Sequence, residues 1–179
     1  MLLEIRKYNE FELTEDIQQQ IALLLQKCFP DTAYHGRHYF KQLPHFRFLA
    51  YEDEMLVGHV GIDYRIMRLN GQPVKVTGII ELCVVEERRH HYIGSFLLEE
   101  VEKLAKNANA DFILLFSKVG SVYIKHNFRY VDNICTWLKI HEHKSIGIGD
   151  EFIQNEIMVK EISGIKWETG NLDMLGYLY

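Results

Sequence analysis

Residues 81–100 read ELCVVEERRHHYIGSFLLEE. An apolar run ends at Glu86 and Glu87, four basic or imidazole residues follow (Arg88, Arg89, His90, His91), and a helix begins near Ile93. Ile93, Phe96, Leu97, Val101, Leu104 and Ala105 fall at helical spacing. A strand feeding a helix through a tight turn exposes the N–H groups of the helix's first turn. Those groups and the helix dipole favour an anion. Gly94 lets the backbone approach a phosphate closely, and Arg88 or Arg89 adds charge-assisted bonds. The stretch therefore reads as a pyrophosphate-binding turn. The bland alternative is a solvated basic surface.

The rest of the chain bears on that choice. Its 179 residues are 47% hydrophobic and 25% charged, with a formal charge of −5. This is the composition of a folded domain with a real core. A phosphate-neutralising protein needs a basic surface, so nucleic-acid binding is not expected. The basic turn is a local exception in an acidic chain, which points to a small anionic ligand. Cys28, Cys83 and Cys135 stand singly with no CxxC pair, and charges break the N-terminal segment too early for a signal peptide. No apolar run approaches the roughly 18 residues of a membrane span. A reduced, cytoplasmic protein with no membrane partner is expected.

No repeat or linker interrupts residues 1–179, which read as one domain. LLEIRKY is a first strand, and EDIQQQIALLLQKCF a helix with Ile17, Ile21, Leu24, Leu25 and Cys28 on one face, ended by Pro30. GRHYFKQL reads as a second helix and FRFLAYE as a strand. MLVGHVGIDYRIMRL and VKVTGIIELCVV form a hairpin through Asn70-Gly71. Apolar residues run together between Glu81 and Val85, consistent with a doubly buried strand or a bulge. DFILLF is a buried strand. VGSVYIKHNF is a short helix ending near Asn127, and ICTWLKI and NEIMVKEI are further strands. The expected fold is α/β or α+β with a mixed sheet.

These motifs together resemble the GNAT superfamily of acyl-CoA-dependent N-acyltransferases. Its Arg/Gln-x-x-Gly-x-Gly/Ala motif lies between a strand and a helix and corresponds to Arg89-His90-His91-Tyr92-Ile93-Gly94. The arginine and last glycine match, and Tyr92 stands where glycine is usual. VYIKHNFRYV is similar to the family's Tyr-x-x-x-Gly-Phe segment, with Asn127 for glycine. The resemblance covers about Leu56 to Val131. The tail KWETGNLDMLGYLY is similar to a Trp-x-x-Gly-x-x-Asp-x-x-Gly ending in aminoglycoside 2′-N-acetyltransferases. LVGHVGIDYRIMRLNG resembles nodulation-factor N-acyltransferases.

The resemblance implies a mostly antiparallel sheet with a splayed strand pair, acetyl-CoA as co-substrate, and acetyl transfer to a primary amine of a small molecule by direct attack. Cofactor contacts fall to Arg88, Arg89, His90, His91, Tyr92, Ile93, Gly94 and Ser95, to the backbone of Cys83, Val84 and Val85, and to Ser117. The Ser117 hydroxyl has a second reading, as a helix N-cap. Glu81 is the candidate base, or else an outward-facing strand carboxylate. Tyr123 matches the tyrosine that protonates the departing thiolate. Asp173 is a candidate acceptor contact, or else a turn cap. Cys83 reads as a small hydrophobe rather than a nucleophile. His141 and His143 lack companion ligands, so no metal is expected. Dimers are common among similar enzymes. The rival readings are a non-catalytic CoA- or partner-binding module and a transferase of longer acyl chains.

Overall fold

The computed structural model describes residues 2–179. The elements are β1 (Leu3–Asn9), α1 (Glu15–Cys28), β2 (Phe46–Glu52), β3 (Met55–Leu69), β4 (Gln72–Val84), α2 (Ile93–Asn107), β5 (Phe112–Phe116), α3 (Ser121–Lys125), β6 (Arg129–His141), β7 (Lys144–Glu161) and β8 (Gly170–Tyr177). The fold is mixed α/β, with a mostly antiparallel sheet and flanking helices, as expected. The chain divides into two compact units, one running to Asp63 and resuming over Ile79–Val101, the other comprising Tyr64–Gly78 and Glu102–Tyr179.

In the first unit β1 pairs antiparallel with β2 from Leu3↔Glu52 to Asn9↔Phe46, and β2 pairs antiparallel with β3. Thr14 starts α1 by accepting the Ile17 N–H, while Glu15 and Asp16 oppose the helix dipole. Its apolar face buries Ile21, Leu24 and Leu25 against Leu49, Tyr51 and Cys83. In α2, Ile93, Leu97, Leu98 and Val101 are buried, whereas Phe96 lies on the flank and is exposed.

The helix expected over GRHYFKQL is absent. His35 and Gly36 take φ of 52° and 77°, and consecutive left-handed residues cannot seed a right-handed helix. Tyr34 is instead buried, with its ring edge-on to Phe40 at 5.9 Å.

The second unit is a closed ring of strands. The order is β3-β4-β5-β7-β6-β8, and β8 returns to β3 through Arg68↔Asp173 and Leu69↔Leu172. Every strand turns alternate side chains inward: Met67 and Leu69, Val74 and Val76, Phe112 and Leu114, Ile157 and Val159, Val131 and Cys135, Leu172 and Met174. Trp167 joins them, with its indole N–H donated to the buried Asn133 Oδ1 at 3.0 Å. The parallel β4–β5 ladder covers only Val76–Gly78 and Phe112–Leu114, although β4 continues to Val84 and β5 to Phe116.

Candidate functional site

The site in the first unit is built around an irregularity in β4. Glu81 takes φ of 55°, left-handed, in the middle of a strand. A left-handed residue breaks the regular alternation of a strand and redirects its carbonyl. That carbonyl lies 2.9 Å from His59 Nδ1, and His59 Nε2 lies 2.8 Å from Arg47 Nη1. A guanidinium has no acceptor, so His59 Nε2 must accept and Nδ1 must carry the hydrogen. His59 is therefore a neutral imidazole with a defined tautomer. Burial first, then the Arg47 charge, pushes its pKa down to about 3.

Arg47 is wholly buried and balanced by Glu10, which accepts from Nε at 2.6 Å and Nη2 at 3.2 Å. His38 Nε2 meets the same carboxyl at 2.9 Å. Burial alone would raise the Glu10 pKa, but the bonds from His38 and Arg47 hold it below the ordinary value. A relay of buried polar groups thus runs from Glu10 to the Glu81 backbone. Sequence reasoning missed Glu10, Arg47 and His59. For Arg47 and His59 the one signal was a polar residue inside an otherwise apolar strand, FRFLAY and VGHVGI; Glu10, in the charged turn NEFE after β1, gave none.

The Glu81 carboxyl lies in a different environment from its carbonyl. Burial pushes its pKa up to about 7, against the opposing pull of Arg47 and the Tyr34 hydroxyl. Its Oε1 is buried without a hydrogen-bond partner. Burial and the nearby Glu81 charge raise the Tyr34 phenol, so Tyr34 stays protonated beside it. Contact with Cys28, together with burial, pushes the Cys83 thiol up. Cys83 is a protonated, packed thiol.

Beyond β4 a single 3-10 turn, Glu86–Arg88, leads into the loop. His90 and Tyr92 take φ of 67° and 61°. Tyr92 thus adopts the conformation glycine would favour, with its ring exposed. Arg88 Nε pairs with Glu52 Oε2 at 2.6 Å, and Arg89 Nε donates to Val84 O at 3.3 Å. His91 Nδ1 lies 3.0 Å from Arg89 O. Val85 donates its N–H to Val57 O at 2.9 Å, which commits that group to the sheet. The first intrahelical bond of α2 joins Phe96 N to Tyr92 O. The N–H groups of Ile93, Gly94 and Ser95 precede it and have no acceptor within the helix. The Ile93 side chain is buried and anchors the loop. A Cβ placed on Gly94 would meet only Val84 Cγ2, at 3.9 Å, so the space above Gly94 is open. Open space, first-turn N–H groups and Arg89 fit a pyrophosphate.

The remaining candidates belong to the second unit. Tyr123 lies in α3, its ring edge-on to Phe128 at 5.9 Å. The Ser117 hydroxyl donates to Val119 O at 3.0 Å and accepts the Val119 N–H at 3.1 Å, closing a local turn; the N-cap of α3 is Gly120. Asp173 Oδ1 accepts the Leu175 N–H at 2.9 Å, where Leu175 takes φ of 45°. Among the described residues no cluster of three or more potential ligands could hold a metal, and no helix is long and apolar enough to cross a membrane.

Comparison with known proteins bears on this geometry. A family model described as an acetyltransferase (GNAT) domain matches residues 5–131. No curated protein matches the sequence. The structure is similar to a GNAT family N-acetyltransferase from Escherichia coli solved with CoA (17% identity, TM-score 0.62, 96% of this chain and 88% of that one). It is also similar to a GNAT family acetyltransferase from Brucella melitensis solved with acetyl-CoA (16% identity, TM-score 0.62, 96% of this chain and 94% of that one). An aminoglycoside acetyltransferase from an uncultured soil metagenomic sample matches over 66% of this chain and 82% of that one, with 16% identity and a TM-score of 0.51. Some other matched chains are longer, and this chain spans 33% of their length. At such identities the likeness is one of fold.

Proposed function

The chain belongs to the GNAT acetyltransferase family, and on that premise we propose that it moves an acetyl group from acetyl-CoA to a primary amine of a small molecule. Acetyl-CoA brings the activated thioester, and the protein binds it and manages protons. The N–H groups of Ile93, Gly94 and Ser95, with Arg89, hold the pyrophosphate. Arg88 acts mainly to brace the loop through Glu52. The observation that carries the reading is Glu81, a buried carboxyl with an unpaired oxygen and a pKa near neutrality. A group poised there takes a proton from an ammonium at neutral pH and releases it again. By the family's pattern Tyr123 is assigned the role of acid for the leaving thiolate, and Asp173 that of an acceptor contact. Tyr92 supplies glycine's backbone conformation, so its presence does not argue for a module that has lost the cofactor.

The test joins calorimetry with acetyl-CoA to thiol release over a panel of amines. Gly94→Glu places a carboxylate in the open phosphate path and should abolish acetyl-CoA binding in a folded protein. Unchanged affinity would remove the pyrophosphate assignment. Tyr123→Phe should lower turnover roughly 10- to 1,000-fold with acetyl-CoA affinity kept, since one general acid is commonly worth about 100-fold or more. Parallel loss of binding and turnover would reduce Tyr123 to a packing residue.

A further inference from the structure

The segment between α1 and β2, Phe29 to His45, contains neither helix nor strand. Irregular stretches of that length inside a folded unit are uncommon, and functional ones are well represented among them. This one turns back on itself at once. Thr32 donates its N–H to Phe29 O at 3.0 Å, Arg37 donates its N–H to Tyr34 O at 3.0 Å, and His35 and Gly36 between them are left-handed. These turns leave Tyr34 pointing inward, only 4% exposed, in the cluster that holds Leu25 of α1, Leu49 of β2 and Cys83 of β4. Phe29 and Phe40 flank its ring, with centroids 6.4 and 5.9 Å away.

A buried phenol needs a partner for its hydroxyl. That partner is the Glu81 carboxyl. The same carboxyl keeps Oε1 without a hydrogen-bond partner. The phenol thus holds the group while one oxygen is left to take a proton.

The other groups around the carboxyl act differently. Burial raises its pKa most; Arg47 of β2 and His38 of the irregular segment pull it down, and Glu10 after β1 pushes it up. Cys83, two residues along β4, stays a protonated thiol. His59 is neutral and bonds the Glu81 carbonyl, not the carboxyl. Of these groups Tyr34 alone donates a hydrogen bond to the carboxyl.

We propose that Tyr34 is a positioning residue for acetyl transfer: its hydroxyl fixes the orientation of the Glu81 carboxyl and favours the charged form that accepts the ammonium proton. The inference rests on Glu81 as the base and adds the residue that orients it. A hydrogen bond donated to a carboxylate is stronger than one donated to a neutral carboxyl. Losing it must raise the pH at which Glu81 releases its proton.

Tyr34→Phe keeps the ring and its contacts with Phe29 and Phe40 and removes only the hydroxyl, so the fold should be kept. The full chain, labelled with carbon-13 at glutamate Cδ, is titrated by NMR. The Glu81 signal is identified by its loss in Glu81→Gln. The wild-type midpoint should lie at about 7. In Tyr34→Phe it should move up by about one pH unit, the scale of a hydrogen bond to a charged group. Thiol release over the amine panel is followed at saturating acetyl-CoA. Relative to wild type it should fall about 5-fold at pH 7 and less than about 2-fold at pH 9, with acetyl-CoA affinity unchanged. A midpoint that moves down or stays within about 0.3 unit of wild type overturns the role of Tyr34 and leaves Glu81 as the base. So does a turnover loss of equal size at both pH values. A wild-type midpoint near the ordinary 4.5 overturns both assignments. An upward shift in a protein that releases no thiol with any amine upholds the hold of Tyr34 on Glu81 and overturns acetyl transfer to small amines.

Discussion

Glu81 departs from strand geometry and from ordinary carboxylate behaviour at the same residue. Its left-handed φ turns the carbonyl toward His59 and leaves the carboxyl buried with an unpaired oxygen. A non-glycine residue keeps such a conformation only where its surroundings over-determine it, and the Arg47–His59 relay does so here. The same surroundings hold the Glu81 carboxyl in place. With a pKa of about 7, the base form predominates only above neutrality. Turnover by the wild type should therefore rise through pH 7 and level off. Glu81→Gln should remove that inflection and lower turnover at pH 8 by about 100-fold or more. A pH–rate profile parallel to wild type would show that another group takes the proton. Tyr92 shows the same economy, since it holds φ of 61° where the motif has glycine. The loop's course is set by the buried Ile93 and by the Arg88–Glu52 pair rather than by glycine's freedom.

At the scale of elements, patterns made by one segment were legible and those made by distant partners were not. The α1 face, the Asn70-Gly71 hairpin and the disturbed end of β4 each declare themselves within about 15 residues. Arg47 and His59 do not, because nothing local says that a polar residue in an apolar strand has a buried partner on another element. The strand β8 was hidden for a related reason. Gly170 and Gly176 interrupt its alternation. Gly170 takes φ of 132° and a Cβ there would strike the Asn70 side chain, whereas at Gly176 a Cβ would meet only the movable end of Arg65. The strand exists because the ring closes on it. Asn70 joins the hairpin to β8, accepting the Asn171 N–H at 2.9 Å and donating to Thr169 O at 3.0 Å. It also takes φ of 50°. Asn70→Ala loses both bonds and puts a residue less tolerant of that φ in the turn. It should destabilise the protein by about 2 kcal/mol, measured by urea unfolding. A loss under roughly 0.5 kcal/mol would mean that β8 docks through Leu172 and Met174 alone.

Over the whole molecule, two buried groups set opposing pH dependences. Glu81 has a folded pKa of about 7 against an ordinary 4.5. Between those values the folded state holds a proton that the unfolded state has released, so stability falls as pH rises and the deficit persists above pH 7. His59 stays neutral down to about pH 3 against an ordinary 6.5. The unfolded state takes up that proton first, so stability falls as pH drops from 6.5 toward 3. From pH 4.5 to 6.5 the two slopes offset, and outside that window one acts alone. At neutral pH the Glu81 shift costs on the order of 3 kcal/mol, at about 1.4 kcal/mol per unit. Relative to wild type, Glu81→Gln should gain about 3 kcal/mol in unfolding free energy between pH 4.5 and pH 8, whatever its fixed offset. Groups that do not face Glu81 drop out of this comparison. Urea unfolding of both proteins at the two pH values measures it. A pH-independent difference would show that Glu81 titrates as an ordinary carboxylate in the folded protein, and its role as a base poised near neutrality would fall with that result.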